Sequence, residues 1–416
     1  MLTVADASAR MLAPISSLAT ERVPLLDAVG RVLATDAVAS YTLPHWDNSA
    51  MDGYAVRAAD IAHANASTPV TLRVLETVAA GAFATVGVGA GEAIRIMTGA
   101  PVPAGADTVV RVEDTDGGID TVEIRDVRDA GKNIRPRGED FTTGDIVIEA
   151  GTPVAPAQVG VLASLGLSSV DVVRRPVVAI LGSGDELVDL DRFHEVLAGR
   201  KIVTSNSYTL SALVRTAGGL PLLLGNASDT PESLRALLER ARGADLIVTS
   251  AGASVGEFDY TREVLASLGA TLDFWKVRMR PGAPIGFGDL HGTPWIGLPG
   301  NPVSAMVTFE LFVRPVIRRM LGHSRLHRRP VTVVLDEPVS IGARLTHFFR
   351  GVVHVRDDGS LGARLTGPQG SGILTSMSRA NALLIVPDDR PRCEAGERVH
   401  ALLLSDDAAL SDSFAL

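Results

Sequence analysis

The chain has 416 residues, 46% of them hydrophobic and only 4% aromatic, so aliphatic side chains must fill the cores of what length alone suggests are about three domains. Its 48 acidic residues outnumber 39 basic ones, which argues against a general nucleic-acid binder, since that function needs clustered positive charge. A single cysteine, Cys393, excludes a disulfide framework and a cysteine-rich zinc site.

The first residues, MLTVADASARMLAPI, carry Asp6 and Arg10 in place of a long apolar stretch, so no signal peptide is expected. No run approaches the roughly 18 apolar residues of a membrane span, and a cytoplasmic protein is expected. Residues 4–18 and 25–33 read as helices punctuated by Pro14 and Pro24. Between about 46 and 140 the pattern changes to short β runs separated by turn residues, such as 71–75 and 108–112. Residues 155–165 are again helical. The expectation is a discontinuous helical linker domain, 1–45 and 141–175, with a β-rich module, 46–140, inserted in it.

From 176 to 326 strands alternate with helices. Val177, Val178, Ala179, Ile180 and Leu181 form an apolar run of the kind buried on both faces of a sheet, as do Leu246, Ile247 and Val248. Leu210, Leu213, Val214 and Ala217 fall at helical spacing, as do Leu234, Leu237, Leu238 and Ala241. Residues 303–320 read as one buried helix. Such alternation predicts a three-layer α/β domain with a mostly parallel sheet, whose ligands bind beyond the carboxyl ends of the strands. Residues 327–416 are β-patterned and predict a small C-terminal barrel or sandwich, with a frayed tail from Ser405. The fold class is thus multidomain α/β plus β.

Three segments place polar residues where these strands end. They are Gly182-Ser183-Gly184-Asp185-Glu186, then Asp245 to Asp259 (DLIVTSAGASVGEFD), and Gly297-Leu298-Pro299-Gly300-Asn301-Pro302-Val303-Ser304. Small-residue loops let backbone amides converge on an anion, and a helix N-terminus adds positive partial charge. A tight turn with Asp259 as N-cap would explain the second segment alone; three such loops on one sheet edge favour a ligand site. Between the last two, strand alternation puts Lys276, Arg278 and Arg280 on one face, as edge-strand protection or as cations for an anion. Only three lysines occur, Lys132, Lys201 and Lys276, so a retained lysine points to chemistry. In the β module, 44–57 and 97–103 are dense polar loops in which Asp52 and Thr98 could each be a structural turn residue. Asp229, before Pro231, could be a helix cap. Walker A, GxGxxG and zincin patterns are absent.

With these motifs in hand, the chain resembles the molybdopterin molybdenumtransferase family, bacterial MoeA and the E domain of gephyrin. The resemblance rests on DNSAMDGYAVR (47–57), IMTGAPVPAGADTVV (96–110), GKNIRPRGED (131–140), RRPVVAILGSGDELV (174–188), the 245–259 stretch and GLPGNPVSA (297–305). It implies a homodimer whose active site is shared between the α/β domain of one chain and the β module of the other. It implies insertion of molybdate into adenylylated molybdopterin, with hydrolysis of the adenylate, release of AMP and assistance by Mg²⁺. A molybdopterin adenylyltransferase would be a transient partner; neither nucleic acid nor membrane is implied. Carried over by motif position, the catalytic residues would be Asp52, Thr98, Glu186, Asp229, Asp259, Lys276 and Arg280. Ser250, Gly252, Ser254, Gly256, Pro299, Gly300, Asn301, Pro302 and Ser304 would bind the pterin substrate. Glu186 and Asp259 would hold Mg²⁺, and Arg280, Ser304 and Arg350 would receive molybdate.

Three positions depart from the family pattern. Ala251 stands where the loop usually has glycine, Arg280 replaces the first lysine of K-P-G-K-P, and Ala283 replaces the second, which removes a cation outright unless Arg278 substitutes. Ala251 and Ala283 motivate the alternatives: a weakened pterin-binding or scaffold paralogue on the same fold, or a tungstate-using transferase.

Overall fold

The computed structural model describes residues 1–250 and 257–405, and for residues 257–260 the backbone alone. It divides into two compact units, one of residues 1–34, 151–154 and everything from Ser169 onward, the other of Thr35–Ala150 and Ala155–Ser168.

In the first unit a six-stranded sheet runs in the order Leu220–Ala227, Val177–Ser183, Leu246–Ser250, Thr293–Leu298, Pro284–Leu290 and Thr271–Lys276. Only Pro284–Leu290 opposes its neighbours; the first four strands are parallel. Alternate side chains serve opposite faces of the sheet, as strand pleating requires. Val178, Ile180, Leu246 and Val248 join one core with Leu210 and Val214 from the helix Ser205–Thr216 and with Val303, Val307 and Phe312. Ala179, Leu181 and Ile247 join the other with Leu234, Leu237 and Leu238 from Pro231–Arg240 and Val264 and Leu265 from Glu257–Ser267. Each helix therefore buries its apolar stripe on the sheet, at about 25 cal/mol per Å² of apolar surface.

The buried helix expected over 303–320 is present but not regular: Pro302–Thr308 passes through a π turn, Phe309–Val313, into Arg314–Met320. Pro315 has no N–H for the helical ladder, and the wider turn just before it absorbs that break.

The C-terminal strands close into a five-stranded barrel through Thr346–Val355, Leu361–Leu365, Val331–Leu335, Arg398–Leu403 and Ala382–Val386, which returns to the first. Closure leaves no free edge within the ring. The two-residue strand Met279–Arg280 adds to its outside, pairing with Thr346 and His347.

The N-terminal segment is less helical than expected. A helix covers Val4–Leu12, capped by the Thr3 hydroxyl accepting from the Asp6 N–H, and ends before Pro14. Residues 25–33 supply only a single 3₁₀ turn, Leu25–Ala28, while Thr20–Pro24 is a strand paired antiparallel with Ser169–Val173. The correction comes from pairing: β-branched Thr20 and Val23 meet a Val-rich partner almost 150 residues away, and local periodicity does not register that contact.

The second unit holds a five-stranded sheet in the order Thr108–Arg111, Gly53–Val56, Glu92–Ile96, Val70–Val78 and Thr121–Ile124. Tyr54 and Val56 face one of its cores, Ala55 and Ile94 the other. Gly53 is required by close approach: a Cβ there would stand 1.9 Å from the Val110 carbonyl oxygen. Among the described residues, no helix is long and apolar enough to cross a membrane.

Candidate active site

The parallel ladder aligns the three expected loops of the first unit. Gly182 lies opposite Ser250, and Ser250 opposite Leu298, so the strands ending at Ser183, Ser250 and Leu298 finish side by side. They open onto a cavity of about 180 Å³ lined by Ser183, Glu186, Thr204, Asn206, Ser250 and Asn301 among others. Asn206 fastens two of the loops, its amide nitrogen donating to Ser250 Oγ at 2.8 Å and to the Gly300 carbonyl at 2.7 Å. Thr204, just before the same helix, donates to Asn226 Oδ1 at 3.0 Å. Neither Asn206 nor Thr204 was singled out from sequence; the available signal was the polar run Thr204-Ser205-Asn206-Ser207 between a short strand and an apolar helix.

Glu186 presents an exposed carboxylate with no hydrogen-bond or ion-pair partner among the described residues. Gly184, at φ +146°, makes room for it, since a Cβ there would come within 2.6 Å of Glu186 Oε2. Asp229 is not the helix cap. Thr230 caps Pro231–Arg240, accepting from the Ser233 N–H, while the Asp229 carboxylate accepts the Asp185 N–H at 3.3 Å and the Asp185 carboxylate accepts the Asp229 N–H at 3.2 Å. The exchange ties the 185–186 turn to the segment before Pro231–Arg240, and the Lys201 ammonium donates to the Asp185 carbonyl. Ala251, Gly252, Ser254 and Gly256 lie outside the described residues. Asp259 falls in the first turn of Glu257–Ser267, and its side chain is likewise outside them.

A second, larger cavity of about 620 Å³ lies between the sheet and the barrel. Arg280, Ser304 and Arg350, which sequence reading grouped around an oxyanion, all line it, with Ala283, Pro299, Asn301, His347, Gln369 and Ser371. No Asp or Glu lines it among the described residues. Arg350 is 1% exposed and has no carboxylate partner; Nε donates to Ser376 Oγ at 3.0 Å and Nη2 to the Gly370 carbonyl at 3.0 Å. Burial pushes its pKa below the usual arginine value, the mark of a cation held out of water without a counter-ion. Asn301 lines both cavities, so the 297–304 loop is their common wall.

Lys276, exposed at the end of Thr271–Lys276, is opposite Pro284 and lines neither cavity. Arg278 does not replace the cation missing at Ala283: it pairs with Asp388 at 2.5 Å and lines a separate cavity with Arg344 and Asp389.

In the second unit, register explains the meeting of Asp52 and Thr98. Gly53 lies opposite Ile96, so the residue before one strand and the second residue after the other flank the ladder end. Asp52 Oδ1 accepts from the Thr98 N–H at 2.7 Å and from Thr98 Oγ1 at 2.8 Å. These two bonds hold the exposed Asp52 carboxyl below its ordinary pKa. The 131–140 loop is tied to the 47–57 loop by Arg137, whose N–H donates to Asp47 Oδ1 at 2.6 Å and whose Nε donates to the His45 carbonyl at 3.0 Å.

The donor set suits a hard cation. Glu186 offers unpaired carboxylate oxygen at the smaller cavity, and Mg²⁺ takes one or two carboxylates with the rest of its shell from phosphate and water. The described residues contain no group of three or more His, Cys, Asp or Glu placed to enclose a metal, so the protein alone would not cage it.

Comparison with known proteins gives three matching family models: the MoeA N-terminal region (domain I and II) over residues 2–166, a probable molybdopterin binding domain over 179–319, and the MoeA C-terminal region (domain IV) over 332–404. The chain is 39% identical over 392 residues to a molybdopterin molybdenumtransferase of a Nostoc species, covering 92% of this chain and 89% of that one. It is 40% identical over 384 residues to molybdopterin molybdenumtransferase 2 of Mycobacterium tuberculosis, covering 91% and 93%. A crystal structure of the molybdopterin biosynthesis moeA protein from Pyrococcus horikoshii OT3 superposes with a TM-score of 0.79 at 32% identity, covering 97% of this chain and all of that one.

Proposed function

The chain belongs to the molybdopterin molybdenumtransferase family and is an enzyme of molybdenum cofactor biosynthesis, and from that premise we propose how its residues divide the reaction. The observation that carries the reading is the 297–304 loop with a carboxylate-bearing cavity on one side and a cationic cavity on the other.

In this reading adenylylated molybdopterin lies along that loop. The Gly300 and Asn301 amides, set between Pro299 and Pro302, hold the pterin phosphate at the strand ends with Ser250 and the 252–256 segment. Water attacks the phosphorus, the bond to the adenylate oxygen breaks, and AMP leaves. Arg280 stabilises the charge that develops on the phosphoryl oxygens, and Lys276, exposed at the end of its strand outside both cavities, is assigned the same role by the family resemblance alone. Mg²⁺, held by Glu186 and Asp259 with Asp229 steadying the 185–186 turn, would supply Lewis-acid polarisation of the phosphate. Molybdate waits in the cationic cavity on Arg280, Ser304 and Arg350, where two guanidinium groups and a hydroxyl suit a tetrahedral dianion. The Asp52–Thr98 loop comes from a second copy of the chain, which makes a cytoplasmic homodimer the working unit, and a molybdopterin adenylyltransferase hands over the substrate.

The test is to supply purified protein with adenylylated molybdopterin, molybdate and Mg²⁺ and to follow AMP release and cofactor formation. Both should appear together. Tight substrate binding with no AMP would overturn the hydrolytic reading and leave a binding protein on the same fold.

A further inference from the structure

The cationic cavity contains one titratable side chain that the proposed division of labour leaves idle. His347 sits on Thr346–Val355, three residues before Arg350, is 4% exposed, and lines the cavity with Arg280 and Arg350. Its ring stacks on Phe349 with centroids 5.4 Å apart, which fixes its plane. Nδ1 lies 2.7 Å from the Leu345 carbonyl oxygen. A carbonyl only accepts, so Nδ1 carries the proton of the neutral ring, and Nε2 is left as the atom that can take a second one.

The charged neighbours from each packed element are few. Arg280, on the short strand Met279–Arg280, is in register with His347. Arg350 lies on its own strand. On the other side, Ala382–Val386 places Val386 in register, and Asp388 beyond it is committed to Arg278. Arg344, in the preceding loop, lines the neighbouring cavity. Burial first, and then the Arg280 charge, therefore hold the ring below the ordinary histidine pKa, while the Leu345 carbonyl opposes them in part. The free protein keeps His347 neutral at pH 7.

We infer that His347 makes oxyanion binding in this cavity proton-coupled: it takes up a proton when a tetrahedral dianion enters, and so supplies the third cation that Ala283 does not. The inference rests on the reading of the cavity as the molybdate site. The reasoning is electrostatic. An entering dianion outweighs the single charge of Arg280 at Nε2 and turns that atom into a hydrogen-bond donor. Linkage fixes the sign, since a group more protonated in the bound state makes the anion bind more tightly as pH falls. With one group titrating, affinity rises by at most about tenfold per pH unit between the free and bound pKa values, and is flat above the bound one.

Isothermal titration calorimetry of molybdate into the full chain, from pH 6.5 to 8.5 in buffers of different ionisation enthalpy, counts the protons directly; molybdate stays a dianion over that range. Wild-type protein should take up a fraction of a proton approaching one per anion at the acid end and bind several-fold more tightly there than at pH 8.5. His347→Gln should lose both the uptake and the pH slope while matching wild type near pH 8.5. Molybdate binding that is lost in Arg350→Met yet proceeds in wild type without proton uptake, or with uptake retained in His347→Gln, overturns the role of His347 and leaves the oxyanion site standing. Absence of molybdate binding to wild type, or binding that Arg350→Met leaves unchanged, overturns the site and the inference together. The wild-type proton count decides the question even if a variant fails to fold.

Discussion

Replacing Arg350 with methionine separates the two accounts of a buried arginine. As a structural residue, Arg350 would be holding the 368–376 segment through Ser376 Oγ and the Gly370 carbonyl. Two such charge-assisted bonds are worth roughly 3–6 kcal/mol together. Against them stands the burial of a guanidinium 1% exposed with no carboxylate partner, an effective penalty of several kcal/mol per ion. These terms nearly cancel, and the backbone N–H keeps its bond to Gln369 Oε1 at 2.9 Å in either variant. Methionine fills the side-chain volume, and water in the cavity can satisfy the freed carbonyl. Stability should therefore change by no more than about 2 kcal/mol. Molybdate affinity should not be spared: one charge-assisted contact to an anion is worth roughly 1.5–3 kcal/mol, or about 10- to 150-fold in Kd. Thermal melting and calorimetric titration of the same preparation read both quantities. A large loss of stability with unchanged molybdate affinity would refute the reasoning, because the guanidinium would then be serving the fold and not a ligand.

Two further outcomes follow from single contacts. Asp52→Asn keeps an acceptor oxygen for both Thr98 bonds and removes only the charge, so melting should be nearly unchanged while AMP release falls by well over tenfold; wild-type turnover would remove the Asp52 charge from the chemistry. Asp245 is paired with Arg174 at 2.6 and 2.7 Å and accepts the Val177 N–H at 2.8 Å. Burial opposes ionisation of Asp245, but these donors outweigh it and hold the carboxyl below its usual pKa. Its contribution is thus present above the unfolded carboxylate value near 3.9 and is lost as pH falls through the folded one. Asp245→Asn should cost about 2–3 kcal/mol at pH 7, discounted for the partly exposed arginine, and should approach wild type in acid; a urea-midpoint difference that persists undiminished at low pH would contradict this.

What could be read in advance divides along the range of the interaction. The strands at Val177–Ser183 and Leu246–Ser250 were legible because their residues are apolar on both faces, and the loops after them because Gly, Ser and Asp cannot continue such runs. The strand Thr20–Pro24 was not, because its partner Ser169–Val173 lies far along the chain. Arg350 lies outside every motif quoted for the resemblance, and nothing in a β-patterned run tells a buried arginine without a counter-ion from a solvated one. The same limit hid Asn206, whose two acceptors come from two other strand ends. Asp229 shows the reverse error: a plausible local cap gave way to Thr230, which freed the carboxylate for Asp185.

Charge is sorted across the 297–304 loop, and that sorting constrains the order of events in the proposed reaction. The side lined by Glu186 opposes a phosphate until a cation intervenes, whereas the side with Arg280 and Arg350 attracts a dianion without one. On the proposed reading, molybdate would therefore enter the cationic cavity of the free enzyme, while the adenylylated pterin would need the divalent ion for a stable complex. Pro299 and Pro302 restrict the backbone of the wall between the two, and Asn206 donates to its Gly300 carbonyl. On the proposed reading, the two sites would be coupled through charge across this wall. Ala283 fits that arrangement: with a lysine there, the cationic cavity would compete for the pterin phosphate across a thin loop, and a histidine that charges only when molybdate is present does not.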